Sequence, residues 1–400
     1  MEKQKCPEVR FKGYDQNWRL KKLEAIGIFN PYSNLPQEFE YVDLESVVGT
    51  ELINSRKETI ETAPSRAQRL ASRGDVFYQA VRPYQKNNYL FDLPYDNYVF
   101  STGYIQIRPT INSYYLLSIV QKNDFVQKVL ENCTGTSYPA INTTGLKSID
   151  VFISNEANEQ TQIGNFFQNL DQSIALQEKK LTQTQNLKKA MLEKMFPKAG
   201  SKQPEIRLKG FSGDWEKKLL QDEVEFFSGL TYSPDDLTNK NGTLVLRSSN
   251  VQNNQICTDD NVYVVHDAVN VCNVEVGDII VVVRNGSRSL IGKHAVINKQ
   301  MKNTVIGAFM TGVKAKNPYF INALFDTSLF DLAVSRNLGA TINQITTGMF
   351  KQMEFNFPDK TEQIAIGQFF KQLDETFVLQ QQQLQTLKNL KQAFLEKMFV

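Results

Sequence analysis

The sequence predicts an α+β protein: two α+β domains held apart by a pair of long helices, with an internal pseudo-two-fold repeat. Three observations predict it. Two blocks of text recur in the same order, one of them carries a coiled-coil seam, and the stretches between them break into short β-rich and helical segments. At 400 residues, 41% hydrophobic and 22% charged, the chain can hold two or three domains, each with a core. That composition excludes a disordered, collagen-like or disulfide-stapled chain.

The first block is short. Residues 7–20 and 204–217 share Pro, Glu, Arg, Lys, Gly and Trp at an offset of 197, so Trp18 and Trp215, the two tryptophans of the chain, are copies of one position. The second block is longer. Residues 158–196 align with 361–399 at an offset of 203, without a gap and with 20 identities in 39 positions.

The longer block reads as helix. Ile163, Phe167, Leu170, Ile174, Gln177, Leu181, Thr184, Lys188, Met191 and Met195 step by four and three. Ile366, Phe370, Leu373, Phe377, Gln380, Leu384, Leu387, Lys391, Phe394 and Met398 repeat the steps, which make a coiled-coil seam. Pro197 ends the first helix, and Pro358-Asp359 precede the second. About 36 residues of helix span ~54 Å. A single apolar stripe that long needs a partner, and the other copy is the obvious one. The run 380–383 of four glutamines stays in the heptad frame and reads as helix rather than as a low-complexity tract. Met195-Phe196 and Met398-Phe399 are expected to be exposed seam ends, a liability without partners.

The inserts, roughly 24–157 and 221–357, differ strongly but share punctuation: Arg73-Gly74-Asp75 against Val276-Gly277-Asp278, and Thr143-Thr144-Gly145 against Thr346-Thr347-Gly348. Residues 39–44, 244–246, 262–265, 279–283 and 294–297 are strand-like between turn residues; 116–130 and 321–335 read as short helices. The expected divisions are 1–157, 158–203, 204–357 and 358–400.

Composition excludes several chemistries. Four scattered cysteines without a Cys-x-x-Cys pair read as reduced thiols. Two histidines, His266 and His294, cannot build a zinc site or an acyl-transfer triad on natural spacings. The stretch Gly286 to His294 resembles a phosphate loop but has five residues between its glycines and His294 where Ser or Thr belongs. Asn30-Pro31-Tyr32 and Asn317-Pro318-Tyr319 echo a methyltransferase motif without its second proline and read as turns, as does Pro234-Asp235-Asp236. No apolar run approaches the ~20 residues of a membrane span. The opening residues lead into no apolar stretch, so no secretory signal and a cytoplasmic location are expected.

Charge is more informative. The net charge is only +2, yet no acidic residue occurs from Ile279 to Phe325, among Arg284, Arg288, Lys293, Lys299, Lys302, Lys314 and Lys316. Cations without anions fit a polyanion. The first insert has Arg66, Arg69 and Arg73 at helical spacing, then Arg82, Tyr84, Lys86 and Tyr89. Arginine suits phosphate and guanine, while Asn and Gln suit adenine, and Gln85, Asn87, Asn88 and Asn285 lie nearby. The candidate DNA-contacting residues are Arg66, Arg69, Arg73, Arg82, Tyr84, Lys86, Arg284, Ser287, Arg288, Lys293, His294, Lys314 and Lys316. The competing reading is a set of solvated basic loops.

The repeated Pro-Glu-[Val/Ile]-Arg opening with its tryptophan, a variable insert, and the helix openings Glu159-Gln160…Ile163-Gly164…Phe166-Phe167…Leu170-Asp171 and Glu362-Gln363…Ile366-Gly367…Phe369-Phe370…Leu373-Asp374 resemble type I restriction–modification specificity subunits over essentially the whole chain. The resemblance implies two target recognition domains, each reading half of a bipartite double-stranded DNA site, and an antiparallel coiled coil setting the spacing of the halves. It implies two methyltransferase subunits docked on the repeats, motor–endonuclease subunits joining for cleavage, and no active site in this chain. S-adenosylmethionine, ATP and Mg²⁺ would belong to the partners. The alternatives are a coiled-coil scaffold joining protein partners without DNA readout, and a self-sufficient DNA enzyme.

Overall fold

The structure, a computed structural model, describes residues 4–135, 137–338 and 343–400. It divides into two compact units, Met1–Lys179 with Gln382–Val400, and Lys180–Gln381. The divisions read from the repeats do not coincide with these units. The two long helices, Ala157–Met195 and Lys360–Lys397, are each shared between them, because their seams pack into both cores. Ile163 and Phe167 belong to the core of the first unit, Ile366 and Phe370 to that of the second.

Within each unit the helical segments run antiparallel. In the first, Phe166 meets Phe394 with ring centroids 5.0 Å apart, Asp171 pairs with Lys391 at 2.5 Å, and Glu178 pairs with Lys388 at 2.6 Å. In the second, Lys188 pairs with Asp374 at 2.6 Å and Phe196 lies 6.0 Å from Phe370. Ile163, Phe167, Leu170, Ile174, Leu181, Met191, Ile366, Phe370, Leu373, Phe377, Leu384 and Phe394 are all buried or half-buried. The seam polar residue Gln177 donates to Gln383 at 3.1 Å.

The seam ends are buried, contrary to the expectation of exposure. Phe399 packs on Trp18, Tyr115 and Phe167, and Phe196 packs on Trp215, Phe320 and Phe370. Each helix ends by closing a domain core with an aromatic ring, a long-range contact that heptad spacing does not reveal.

The repeated opening block is a clasp. Arg10 grips Glu159 through two nitrogens at 2.5 and 2.9 Å, and Trp18 Nε1 donates to the same carboxylate at 3.2 Å. Arg207 grips Glu362 likewise at 2.8 and 2.7 Å. Both carboxylates are fully buried, in first turns where the helix dipole favours an anion.

The repeated glycines let a short helix approach a long one. A Cβ at Gly367 would stand 2.8 Å from the backbone nitrogen of Phe320, and one at Gly164 2.3 Å from Asn112 Oδ1. Gly367→Ala is expected to lower the stability of the second unit by about 1–3 kcal/mol, because a backbone atom cannot rotate aside. Thermal unfolding checks this, and an unchanged melting curve would mean that the helices separate freely.

The inserts share a topology that their sequences hide. One four-stranded sheet runs Tyr89–Leu90, Val76–Gln79, Tyr104–Pro109, Gly27–Phe29 in the first, and His294–Val296, Ile279–Val282, Met310–Ala315, Val224–Ser228 in the second. A second sheet contains one parallel pair in each domain, Glu38–Val42 with Tyr98–Ser101 and Thr243–Leu246 with Thr304–Ile306. The outer strands differ: Ala67–Leu70 flanks Tyr98–Ser101, whereas Leu237–Thr238 flanks Val262–Val264. The Gly-Asp punctuation is one turn made twice. Gly74 and Gly277 have φ of 95° and 96°, and Asp75 and Asp278 accept from Ser72 N and Glu275 N at 2.8 Å. Each predicted helical stretch is a pair of helices, Ser113–Val120 with Asn123–Glu131 and Pro318–Phe325 with Ser328–Asn337. Asn317-Pro318 opens a helix rather than forming a free turn.

Candidate nucleic-acid interface

The strands Val76–Gln79 and Ile279–Val282 hold equivalent places, and each leads into a loop at the same edge of its domain. In the first domain this loop is residues 80–88. Ala80 N donates to Gly103 O at 2.9 Å and Arg82 N to Pro139 O at 2.8 Å. Arg82 takes a left-handed conformation, φ 55°, that non-glycine residues avoid unless their surroundings fix it. Its guanidinium lies 4.8 Å over the ring of Tyr138.

The second domain repeats the edge with residues 283–293. Val283 N and Arg284 N both donate to Phe309 O, at 3.0 and 3.2 Å. Arg284 is exposed and lies 4.9 Å over the Phe309 ring. Asn285 donates to Ser248 Oγ at 3.0 Å, and Asn343 donates to Gly286 O at 3.1 Å. A strand, not a helix, follows Gly292, so the phosphate-loop likeness lacks its helix N-terminus.

The sequence-derived cations separate by environment. Arg284, Ser287, Arg288 and Lys293 are exposed on the 283–293 loop, and Lys316 is exposed beyond Met310–Ala315. Tyr84 is exposed beside half-buried Arg82. Lys86 is half-buried, its pKa lowered by burial, and its ammonium is held by Asn123.

Three expectations are corrected. His294 does not face outward. It is 4% exposed, packs edge-on against Phe325 and Phe330, and its Nε2 lies 3.2 Å from Asp326. It lies on the edge strand His294–Val296, paired with Ile279–Val282, and its ring faces the Phe325 and Phe330 side of the sheet, inside the core. Lys314 is not a free cation. It pairs with Glu275 and lies 3.8 Å from Asp278, as Arg108 pairs with Asp75 at 2.8 Å; the hydrogen bond it donates to Glu275 outweighs desolvation and raises its pKa. The acid-free run thus meets acids in space that precede it in sequence. Arg66, Arg69 and Arg73 do not share a helix face. Ala67–Leu70 is a strand paired with Tyr98–Ser101, Arg66 and Arg73 are exposed in its flanking turns, and Arg69 is half-buried with its pKa lowered by burial.

The side-chain oxygens of the amides around Arg82 are occupied. Asn88 is 1% exposed and accepts from Gln79 N, Asn87 caps Gly49 N, and Gln85 accepts from Gln79. They shape the loop. Sequence reasoning missed Tyr138 and Phe309, because their exposure is visible only once the core is known.

Two stretches, residues 35–186 and 212–389, match the model of the type I restriction modification DNA specificity domain. The chain belongs to this family. The specificity-family chain is 26% identical over 155 residues to the type I restriction enzyme HindI specificity subunit of Haemophilus influenzae, covering 37% of this chain and 32% of that one. It is 25% identical over 193 residues to the type I restriction enzyme StySPI specificity subunit of Salmonella potsdam, covering 45% and 42%. The matches therefore span less than half of either relative. Among solved structures, its fold is like that of a type I restriction–modification S subunit from M. genitalium, at TM-score 0.68, 13% identity and 99% of both chains. A chain from a study of type I R-M complex assembly and conformational transition gives TM-score 0.54, 19% identity, and 96% and 97% coverage. Among the described residues, this specificity-family chain has no cluster of side chains able to hold a metal ion and no helix long and apolar enough to cross a membrane.

Proposed function

We propose that this chain is the DNA-specificity subunit of a type I restriction–modification complex, each variable domain reading one half of a bipartite site. The carrying observation is the repeated edge: one topology, two unrelated sequences, and in both an arginine held over an exposed ring by a strand-end loop. Among the described residues neither Arg82 nor Arg284 forms an ion pair, whereas Arg10, Arg56, Arg108 and Arg207 all do. An unpaired, pre-oriented guanidinium suits phosphate or a guanine edge.

The long helices supply the ruler and the dock. Off the seam, Leu176 and Leu379 are each 54% exposed, and Leu187 and Leu390 are 45% and 43% exposed. These are equivalent repeat positions, so both helices offer the same apolar face, which suits two copies of one methyltransferase partner. The chain carries no catalytic step of its own in this reading. S-adenosylmethionine serves the methyltransferase, and ATP with Mg²⁺ serves the motor–endonuclease. A protein-only scaffold would explain the leucines but not the repeated arginine edge.

Mapping N6-methyladenine in a host with and without this chain tests the reading. A bipartite motif that vanishes on deletion is expected; an unchanged methylome with an active methyltransferase would sink it. Arg284→Ala with Arg288→Ala is expected to cost about 1–3 kcal/mol of discrimination at one half-site only. Equal weakening on all DNA would assign both side chains to phosphates.

A further inference from the structure

We propose that Phe309 and Tyr138 are stacking residues of the two recognition edges, each ring packing on a base of the half-site its domain reads, with its arginine fixed behind it. The inference rests on the specificity reading above and adds the chemistry of contact. The rings are 53% and 65% exposed, although each stands beside a well-packed domain. Each lies within 5 Å of a guanidinium, at 4.9 Å from Arg284 and 4.8 Å from Arg82.

The two domains reach this pairing by different routes. In the second, the ring comes from the turn before Met310–Ala315, and its carbonyl takes the amides of Val283 and Arg284. In the first, Gly103 occupies that place, taking Ala80 N. A Cβ there would stand 2.9 Å from the Leu44 side chain, which would have to shift to admit one. The ring comes instead from residue 138, held by the bridge of Val81 to Ala140 and by Arg82 N on Pro139 O. Packing alone gives no reason for two unrelated loops to set an exposed ring against an arginine at the same edge.

DNA supplies the reason. A base inside a duplex must leave the stack to be methylated, so a neighbouring base loses its stacking partner. An exposed aromatic face replaces that partner, and an arginine at the ring adds attraction to the phosphates.

The test uses the full chain assembled with its methyltransferase subunits and duplexes carrying the mapped site. Phe309→Ala is expected to weaken binding roughly tenfold or more, with the loss disappearing when the half-site read by the second domain is randomised. Tyr138→Ala is expected to do the same for the other half-site. Phe309→Leu keeps the bulk without the π face and is expected to fail similarly, while Phe309→Trp restores binding. Thermal unfolding of each variant separates these effects from misfolding. Wild-type binding by Phe309→Ala and Tyr138→Ala, with Arg284→Ala and Arg82→Ala still weakened, would overturn the stacking role and leave the specificity reading intact. Equal losses on random DNA would also overturn it. A wild-type complex with no preference for its site over random DNA would instead refute the specificity reading.

Discussion

Arg207→Met is expected to loosen the second unit by about 3–5 kcal/mol, the cost of leaving a buried charge without its partner. Glu362 has no exposed side-chain surface, and Arg207 meets it with two short charge-assisted bonds. Adding Glu362→Gln should recover much of the loss, because the stranded charge is then gone. Arg10→Met should cost less. Trp18 Nε1 still donates to Glu159, whereas Trp215 Nε1 has no hydrogen-bond partner among the described residues. Two units do not unfold as one two-state system, so hydrogen exchange should be read separately in Glu354–Phe357 and Asp150–Ile153. Equal protection losses in the two strands would show that the tryptophan contact contributes nothing.

Deleting residues 174–180 and 377–383 together is expected to change the gap in the recognised site and leave both half-site sequences intact. The segments are equivalent in the two repeats, and removing seven residues from each keeps the four-three seam in frame, since Leu170 then precedes Leu181 by four. Seven residues shorten a helix by about 10 Å, close to three base pairs at ~3.4 Å each. Methylome sequencing reads the result directly. An unchanged gap would remove the ruler from the proposal without touching the recognition domains.

These expectations draw on different amounts of sequence information. The clasp could be seen as a pattern: Arg10, Trp18 and Glu159 recur as Arg207, Trp215 and Glu362. That they meet could not, because 149 residues separate Arg10 from Glu159. The recognition edge was partly legible. Arg82 and Arg284 stood out as cations, but Lys314 and His294 stood out equally, and only pairing with Glu275 and burial against Phe325 separate them. Charge along a chain counts neighbours in sequence, whereas a cation is neutralised by neighbours in space.

The buried cluster in the second unit shows the same limit. Burial pushes the Asp326 carboxyl up, but hydrogen bonds and charges from His294 and Lys188 outweigh it and hold it below the usual carboxylate range. Lys188 was read as a seam position; in the structure it joins Asp326 to Asp374 at 2.7 and 2.6 Å. The equivalent Lys391 pairs with Asp171, whose other oxygen takes the Tyr114 hydroxyl at 2.6 Å.

By itself the sequence determined the duplication, the two long helices and their seam, because repeats and heptad periods are local regularities written into the text. It also determined that each insert mixes strands and short helices. Only the tertiary structure decided that the inserts share one topology, that the helix ends close the cores, and that Arg82 and Arg284 lie on exposed rings from unrelated loops. Those facts depend on contacts between residues far apart in the chain, and one strand order can be kept by many sequences so long as the inward faces stay apolar.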